Sequence, residues 1–272
     1  MAGGEPRPVG VSDDGTLPLP WLRDALAQAK QLTRSHALLL HAGMPTGQFE
    51  LALTLAQAWL CEQPDRAPCG HCASCRLARQ RTHPDMHVVV PEALRVDFDW
   101  LTEDDPLLKA GAKPSREIKV EQVREAIEWS QRSAGSDRGR ALVLHPAQSL
   151  NMAAANALLK TLEEPPGKLR IVMAGGDPER LLPTIRSRVQ RLPLKTPDAA
   201  SALSWLQAQG VSGGERALAV AGGSPLAARA LINAGLSEDD LQALPRALAR
   251  GDAQHLIGKP LPLVIASKPA SR

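Results

Sequence analysis

The four cysteines of this 272-residue chain, Cys61, Cys69, Cys72 and Cys75, fall within fifteen residues of one another. In the spacing C-x7-C-x2-C-x2-C, each two-residue gap lets the backbone turn and aim neighbouring sulfurs at a shared centre. The set therefore reads as a tetrahedral four-cysteine zinc site. An iron–sulfur cluster is the competing use, but the bacterial ferredoxin run carries its fourth cysteine downstream and before a proline, whereas here it lies upstream. Four unrelated reduced thiols would not be expected to gather in one turn-rich segment. Gly70 and His71 sit between ligands, and a site with four protein ligands has no open position for water or substrate, so the metal is read as structural.

A second stretch has the form of a phosphate site without its chemistry. The apolar run Ala37-Leu38-Leu39-Leu40 leads into a glycine-containing turn, Ala42 to Gly47, and then into residues with helical periodicity up to Cys61. A strand, glycine turn and helix make a nucleotide-binding arrangement, and a phosphate loop needs a lysine for the phosphates and a hydroxyl for magnesium. Aligned on Gly47, this chain has Ala42 for the first glycine, Gln48 for the lysine and Phe49 for the hydroxyl residue. With Ala42, Gly43, Gly47 and Gln48 as a degenerate loop, no nucleotide cofactor is expected; the plainer reading is an ordinary strand-to-helix connection.

The elements that must carry these residues follow from periodicity. Helices are expected from Trp21 to about Thr33, from Val120 to Gln131, and from an Asn151 cap to Pro165-Pro166. On the last of these the stripe Ala154, Ala157, Leu158, Thr161 and Leu162 is read as core packing against the sheet, and Lys160, Glu163 and Glu164 lie off it, on a face read as solvated rather than as meeting a neighbouring protomer. Strands are expected at 37–40, His87–Val90, Ala141–Leu144 and Leu169–Ala174, and residues 102–117 as a loop. Strands separated by helices imply a parallel sheet covered on both faces. After Pro193 the character changes to alanine- and leucine-rich helices at 198–209, 214–221 and 224–233, with a further helical stretch from about Ser237.

Composition bounds the rest. Hydrophobic residues at 43% can fill about two domain cores, while a net charge of +3 does not by itself argue for nucleic-acid binding. Only 3% of residues are aromatic and none is tyrosine, which speaks against base-stacking platforms. No run approaches the roughly 18 apolar residues of a membrane span and the first residues lack a secretory pattern. A reducing, cytoplasmic setting is expected, which favours metal over disulfides.

Several stretches resemble the delta-prime family in the clamp-loader branch of the AAA+ superfamily, the family of a bacterial DNA polymerase III subunit. They are residues 35–39, Thr82-His83-Pro84-Asp85, 118–124, the run from Ala153 to Pro166 (AAANALLKTLEEPP) and Leu181 to Arg188 (LLPTIRSR). The resemblance implies an α/β fold: an AAA+ parallel sheet over 1–195 with a zinc module at about 61–75, a small helical lid at 196–236, and a truncated start of a helical collar at 237–272.

It also implies an ATP-inactive subunit. The family's active members place aspartate and glutamate where this chain has His145-Pro146-Ala147-Gln148, so neither magnesium nor a general base is accommodated. Family members carry Ser-Arg-Cys where this chain has Ser187-Arg188-Val189. By resemblance, Arg188, with Ser187, is a trans-acting arginine finger for a neighbouring subunit's ATP. Where relatives place a sensing arginine, Leu226 stands instead, with Arg229 nearby. The implied partners are the gamma/tau motor and delta subunits, with the sliding clamp and primed DNA met through the complex, and no membrane. Two rival readings are a zinc-dependent nucleic-acid-binding protein contacting phosphates through Arg66, Arg76, Arg79 and Arg81, and a self-sufficient ATPase.

Overall fold

The structure, a computed structural model, describes residues 10–32, 35–101, 105–108, 113–211, 214–236 and 240. These fall into two compact units. The first comprises the described residues up to His41 together with Gln48–Leu194. The second comprises Ala42–Gly47 with the described residues from Lys195 onward.

The first unit is built on β1 (Ala37–His41), β2 (Met86–Val89), β3 (Arg140–Leu144), β4 (Leu169–Gly175) and β5 (Gln190–Pro193). They form one parallel sheet in the order β2-β3-β4-β1-β5. Apolar residues run almost without interruption through β1, β3 and β4, because a central parallel strand is covered on both faces. Leu39, Leu142, Leu144, Ile171 and Met173 face α5 (Val120–Gln131) and α6 (Met152–Glu163), which contribute Val123, Ala126, Ala154, Leu158 and Leu162 to the same core.

The alternate residues, Leu38, Leu40, Val143 and Val172, are also fully buried and point to the opposite face, where α2 (Gln48–Leu60) packs on β3 and β4. Helix α2 is covered again from outside by α1 (Arg23–Gln31) and α3 (Ala73–Arg79), so twelve of its thirteen residues are buried. A helix enclosed on every side is apolar all round. The expected stripe on α6 matches its buried residues, except that Ala155 rather than Ala157 is fully covered. Asn151 caps that helix by accepting from Ala154 N at 2.8 Å, an interaction that contributes about 1 kcal/mol.

The structure adds elements to the expected set and trims others. The first expected helix begins as a 3-10 turn at Pro20–Leu22, and Thr33 lies outside the described residues. Two short helices, α3 and α4 (Glu92–Asp97), and the edge strand β5 were not expected; nor was α7 (Pro183–Arg186). Within 102–117, a 3-10 turn occupies Pro106–Leu108. The second unit contains α8 (Ala199–Ala208), α9 (Gly214–Val220) and α10 (Pro225–Asn233), packed through Leu206, Ala217, Leu218, Ala228 and Leu231. The helical stretch expected from Ser237 lies almost wholly outside the described residues.

Candidate metal centre and candidate trans-acting site

The cysteine module is assembled from the end of one helix and the start of another. Cys61 follows α2 directly, Cys69 follows a 3-10 turn at Pro64–Arg66, Cys72 caps α3 and Cys75 sits in its first turn. All four are buried, and their sulfurs lie within 4.8 Å of one another. The pairs Cys61–Cys72 and Cys69–Cys75 are each 3.9 Å apart. A tetrahedral ion with metal–sulfur bonds of about 2.3 Å requires edges of about 3.8 Å. The donor set therefore fits one metal ion, with backbone N–H groups of Gln63, Cys72 and Cys75 directed at Cys61, Cys69 and Cys72 sulfurs.

Burial pushes the Cys61 and Cys75 thiols up. It also opposes ionisation of Cys69, yet N–H groups of Cys72 and His71 outweigh it and bring that thiol to about 6. A divalent cation favours the thiolate form at all four.

The module is fastened to the rest of its unit. Gln57, fully buried, accepts from Val11 N at 2.7 Å and donates to Cys75 O at 3.0 Å. Ser74 Oγ donates to Leu60 O at 2.7 Å and accepts from His83 Nε2 at 2.9 Å; His83 Nδ1 in turn accepts from Asp85 N. Burial lowers the His83 pKa, consistent with this neutral tautomer. Gly70 has φ +84°, and a Cβ there would lie 2.0 Å from Ser12 O, so no other residue fits without a shift.

A second centre lies at the C-terminal ends of the strands. The chain leaves β1 towards β2 on one side and leaves β4 towards β5 on the other. The crevice between these two paired strands, at His41 and Gly175, is thus the topological switch point where open α/β sheets bind ligands. Gln48 Nε2 donates to Gly175 O at 3.3 Å. Phe49, buried, stacks on His145 at 4.4 Å and on Phe98 at 5.4 Å, with Trp100 at 5.7 Å. Arg81 lies over the Trp100 ring at 5.1 Å.

His145 keeps some accessible surface, but its ring is walled in by protein. Burial, against a hydrogen bond to Ala174 O, lowers its pKa to about 4. The exit of β3 thus carries a neutral imidazole and the neutral amide of Gln148, whose Oε1 accepts from Gly176 N. The sequence singled out Phe49 and His145 but missed Phe98 and Trp100. No pattern in the sequence marks these two, although both phenylalanines of this aromatic-poor chain meet here.

The turn that follows β1 belongs to the helical unit and is held within it. Ser224, the N-cap of α10, donates to Pro45 O, and Thr46 Oγ1 donates to Met44 O. Gly47 has φ +102° and Ala42 is buried. In the same unit Arg229 lies over the Trp205 ring at 4.9 Å and donates to Gln209.

Arg188 follows α7 with a side chain 32% exposed. Its Nε donates to Glu163 Oε1 at 2.6 Å and Nη2 meets the same carboxylate. Nη1 donates to Thr184 O at 2.9 Å and to Ser187 Oγ at 3.2 Å. The structure thus joins Ser187 to Arg188 and adds Glu163, which the sequence left on a solvated face with Lys160 and Glu164. Of the arginines near the cysteine module, Arg79 pairs with Asp13 and Arg81 stacks on Trp100. Among the described residues no helix is long and apolar enough to cross a membrane.

Five parallel strands in the order β2-β3-β4-β1-β5, with helices on both faces, define an α/β chain. The family described as DNA polymerase III, delta subunit, matches residues 22–198. DNA polymerase III subunit delta' of Escherichia coli is 34% identical over 249 residues, 88% of this chain and 69% of that one. The Pseudomonas aeruginosa counterpart is 33% identical over 231 residues, 83% of this chain and 64% of that one. Among solved structures, a DNA polymerase III gamma subunit-related protein of Thermotoga maritima is 18% identical, with a TM-score of 0.48 over 85% of this chain and 69% of that one. The chain belongs to the delta-prime family of DNA polymerase III subunits. It spans about two thirds of the length of these two relatives.

Proposed function

We propose that this chain is an ATP-inactive subunit of a bacterial clamp loader, which supports loading of the sliding clamp on primed DNA and supplies Arg188 in trans to the ATP of an adjoining gamma/tau-type motor. Delta completes the assembly, and clamp and DNA are met through it, in the cytoplasm.

The observation that carries the inactive half is the Phe49–His145 stack at 4.4 Å. Phosphoryl transfer needs a lysine, a magnesium-binding hydroxyl and an acidic pair at the switch point. Gln48, Phe49, His145 and Gln148 offer none of these, and stacked rings stand at the positions of the hydroxyl and of the acidic pair. Arg229, engaged with Trp205 and Gln209, supports the absence of an ATP-sensing role.

The trans half is supported by Arg188, whose guanidinium is held part-exposed on three protein groups in the family's Ser-Arg motif. Such an arginine neutralises charge as the phosphoryl group leaves. For the cysteine module we take the ion to be zinc, since the sulfur separations suit one tetrahedral ion and a multi-iron cluster holds its thiolates further apart. Its contribution is to the fold, because four protein ligands leave no open position.

The test is ATP hydrolysis by the complex reassembled with motor and delta subunits. The isolated chain should hydrolyse no ATP with magnesium, and Arg188→Ala should slow hydrolysis at the adjoining motor by on the order of 10³-fold while assembly persists. Undiminished turnover in the Arg188→Ala complex, or magnesium-dependent turnover by the isolated chain, would refute the reading.

A further inference from the structure

Glu163 sits where helix energetics disfavour it. It is the last residue of α6 and is followed by Glu164, so two carboxylates stand at the negative end of the helix dipole. What it meets there is Arg188, twenty-five residues on: Glu163 Oε1 accepts from both Nε and Nη2 of the guanidinium. Thr184 O and Ser187 Oγ take Nη1 from the other side, so the plane is held on two sides.

The side chosen by Glu163 matters. A carboxylate on the Nε side leaves the outer edge, Nη1 and Nη2, facing away from it. One Nη2 proton remains for a new acceptor, and the bond to Ser187, the longest of the set at 3.2 Å, is the one most easily exchanged for a phosphate oxygen. Without Glu163 the arginine keeps its charge and loses its orientation, since an unpaired arginine samples many rotamers.

We infer that Glu163 is a positioning residue for Arg188, fixing the guanidinium so that its outer edge meets the γ-phosphate bound by the adjoining subunit. This rests on the reading of Arg188 as a trans-acting finger. Glu163 touches neither nucleotide nor metal; it acts through Arg188.

The test is a mutant cycle in the reassembled complex: unaltered chain, Glu163→Gln, Arg188→Ala and the double variant, with kcat and KM for ATP measured for each. Glu163→Gln should lower kcat about tenfold, inside the 10²-fold cost of a misplacement of about 1 Å, with KM unchanged because ATP is bound by the motor. Arg188→Ala should be slower still, and adding Glu163→Gln to it should change nothing. Glu163→Asp, which keeps the charge on a shorter arm, should recover part of the loss. Thermal melting of each variant chain monitors the fold, and the half-exposed Glu163 should leave it in place.

A Glu163→Gln complex as fast as or faster than the unaltered one, beside an impaired Arg188→Ala complex, would overturn the positioning role and leave the finger standing. Additive losses in the double variant would mark a purely structural role and overturn it too. An unimpaired Arg188→Ala complex would overturn the finger reading itself, and this inference with it.

Discussion

Truncating Phe49 to alanine tests whether the switch point is a filled core or an open cleft. The Phe49 ring is 8% exposed and has three aromatic neighbours: His145 stacked at 4.4 Å, Phe98 stacked at 5.4 Å and Trp100 tilted at 5.7 Å. Removing a buried phenylalanine costs about 3–5 kcal/mol, and each aromatic pair contributes roughly 0.5–1.5 kcal/mol of such a loss. Three pairs place Phe49→Ala at about 4 kcal/mol. With a urea m-value of about 2–3 kcal/mol/M for a chain of this size, the unfolding midpoint should fall by about 1.5–2 M. Circular dichroism follows the midpoint, and tryptophan emission should shift to the red as Trp100 loses cover. Adding ATP and magnesium should stabilise neither form, because Gln48 supplies no cation for phosphate. A midpoint change below about 0.5 M would mean that Phe49 projects into open space, and the argument for a filled site would fail.

Other consequences are open to direct measurement. Cys75→Ser should reduce bound zinc from about one ion per chain to none and lower the melting temperature, as should chelation of the unaltered protein; elemental analysis decides, and an unchanged zinc content would count against the site. Gly70→Ala forces a Cβ to 2.0 Å from Ser12 O at φ +84° and should cost about 2–3 kcal/mol in urea unfolding; a neutral effect would contradict the packing of residues 10–16 on the cysteine module. His145 has a folded pKa of about 4, below its ordinary 6.5. The unfolded chain therefore binds this proton first as pH falls, and stability is lost between about pH 6.5 and 4, by at most about 3 kcal/mol. His41, His83 and His87 are lowered by burial in the same sense, so the whole chain should show a steeper slope than His145 alone. Replacing His145 with asparagine should flatten the change in urea midpoint between pH 7 and 5; an unaltered slope would show that its ring is solvated.

What could be read from the sequence follows from how each element is buried. Strands β1, β3 and β4 were visible because both of their faces are covered, which leaves a plain apolar run. β5 was not, since on this edge strand Gln190, Arg191 and Pro193 are exposed and only Leu192 is buried. Helix α3 escaped notice because it is only seven residues long, and Cys75 within it and its N-cap Cys72 serve the metal set rather than an apolar stripe. The cysteine site was legible because three of its ligands are local and Cys61 lies only eight residues upstream. Phe98 and Trp100, some fifty residues from Phe49, carry no periodic signal and meet it only through the fold. Glu163 looked like a solvated helix end, since pairing it with Arg188 requires knowing that α7 returns beside the end of α6.

The trans role depends on where the Arg188 guanidinium points once neighbours are present. A structure of the reassembled complex with a non-hydrolysable ATP analogue and magnesium measures that directly. The expected result is an Nη atom of Arg188 within about 3 Å of a γ-phosphate oxygen in the adjoining subunit, Glu163 still on Nε, and aromatic rings filling this chain's own switch point. A guanidinium turned away from that phosphate, or nucleotide bound between Gln48 and His145, would contradict it.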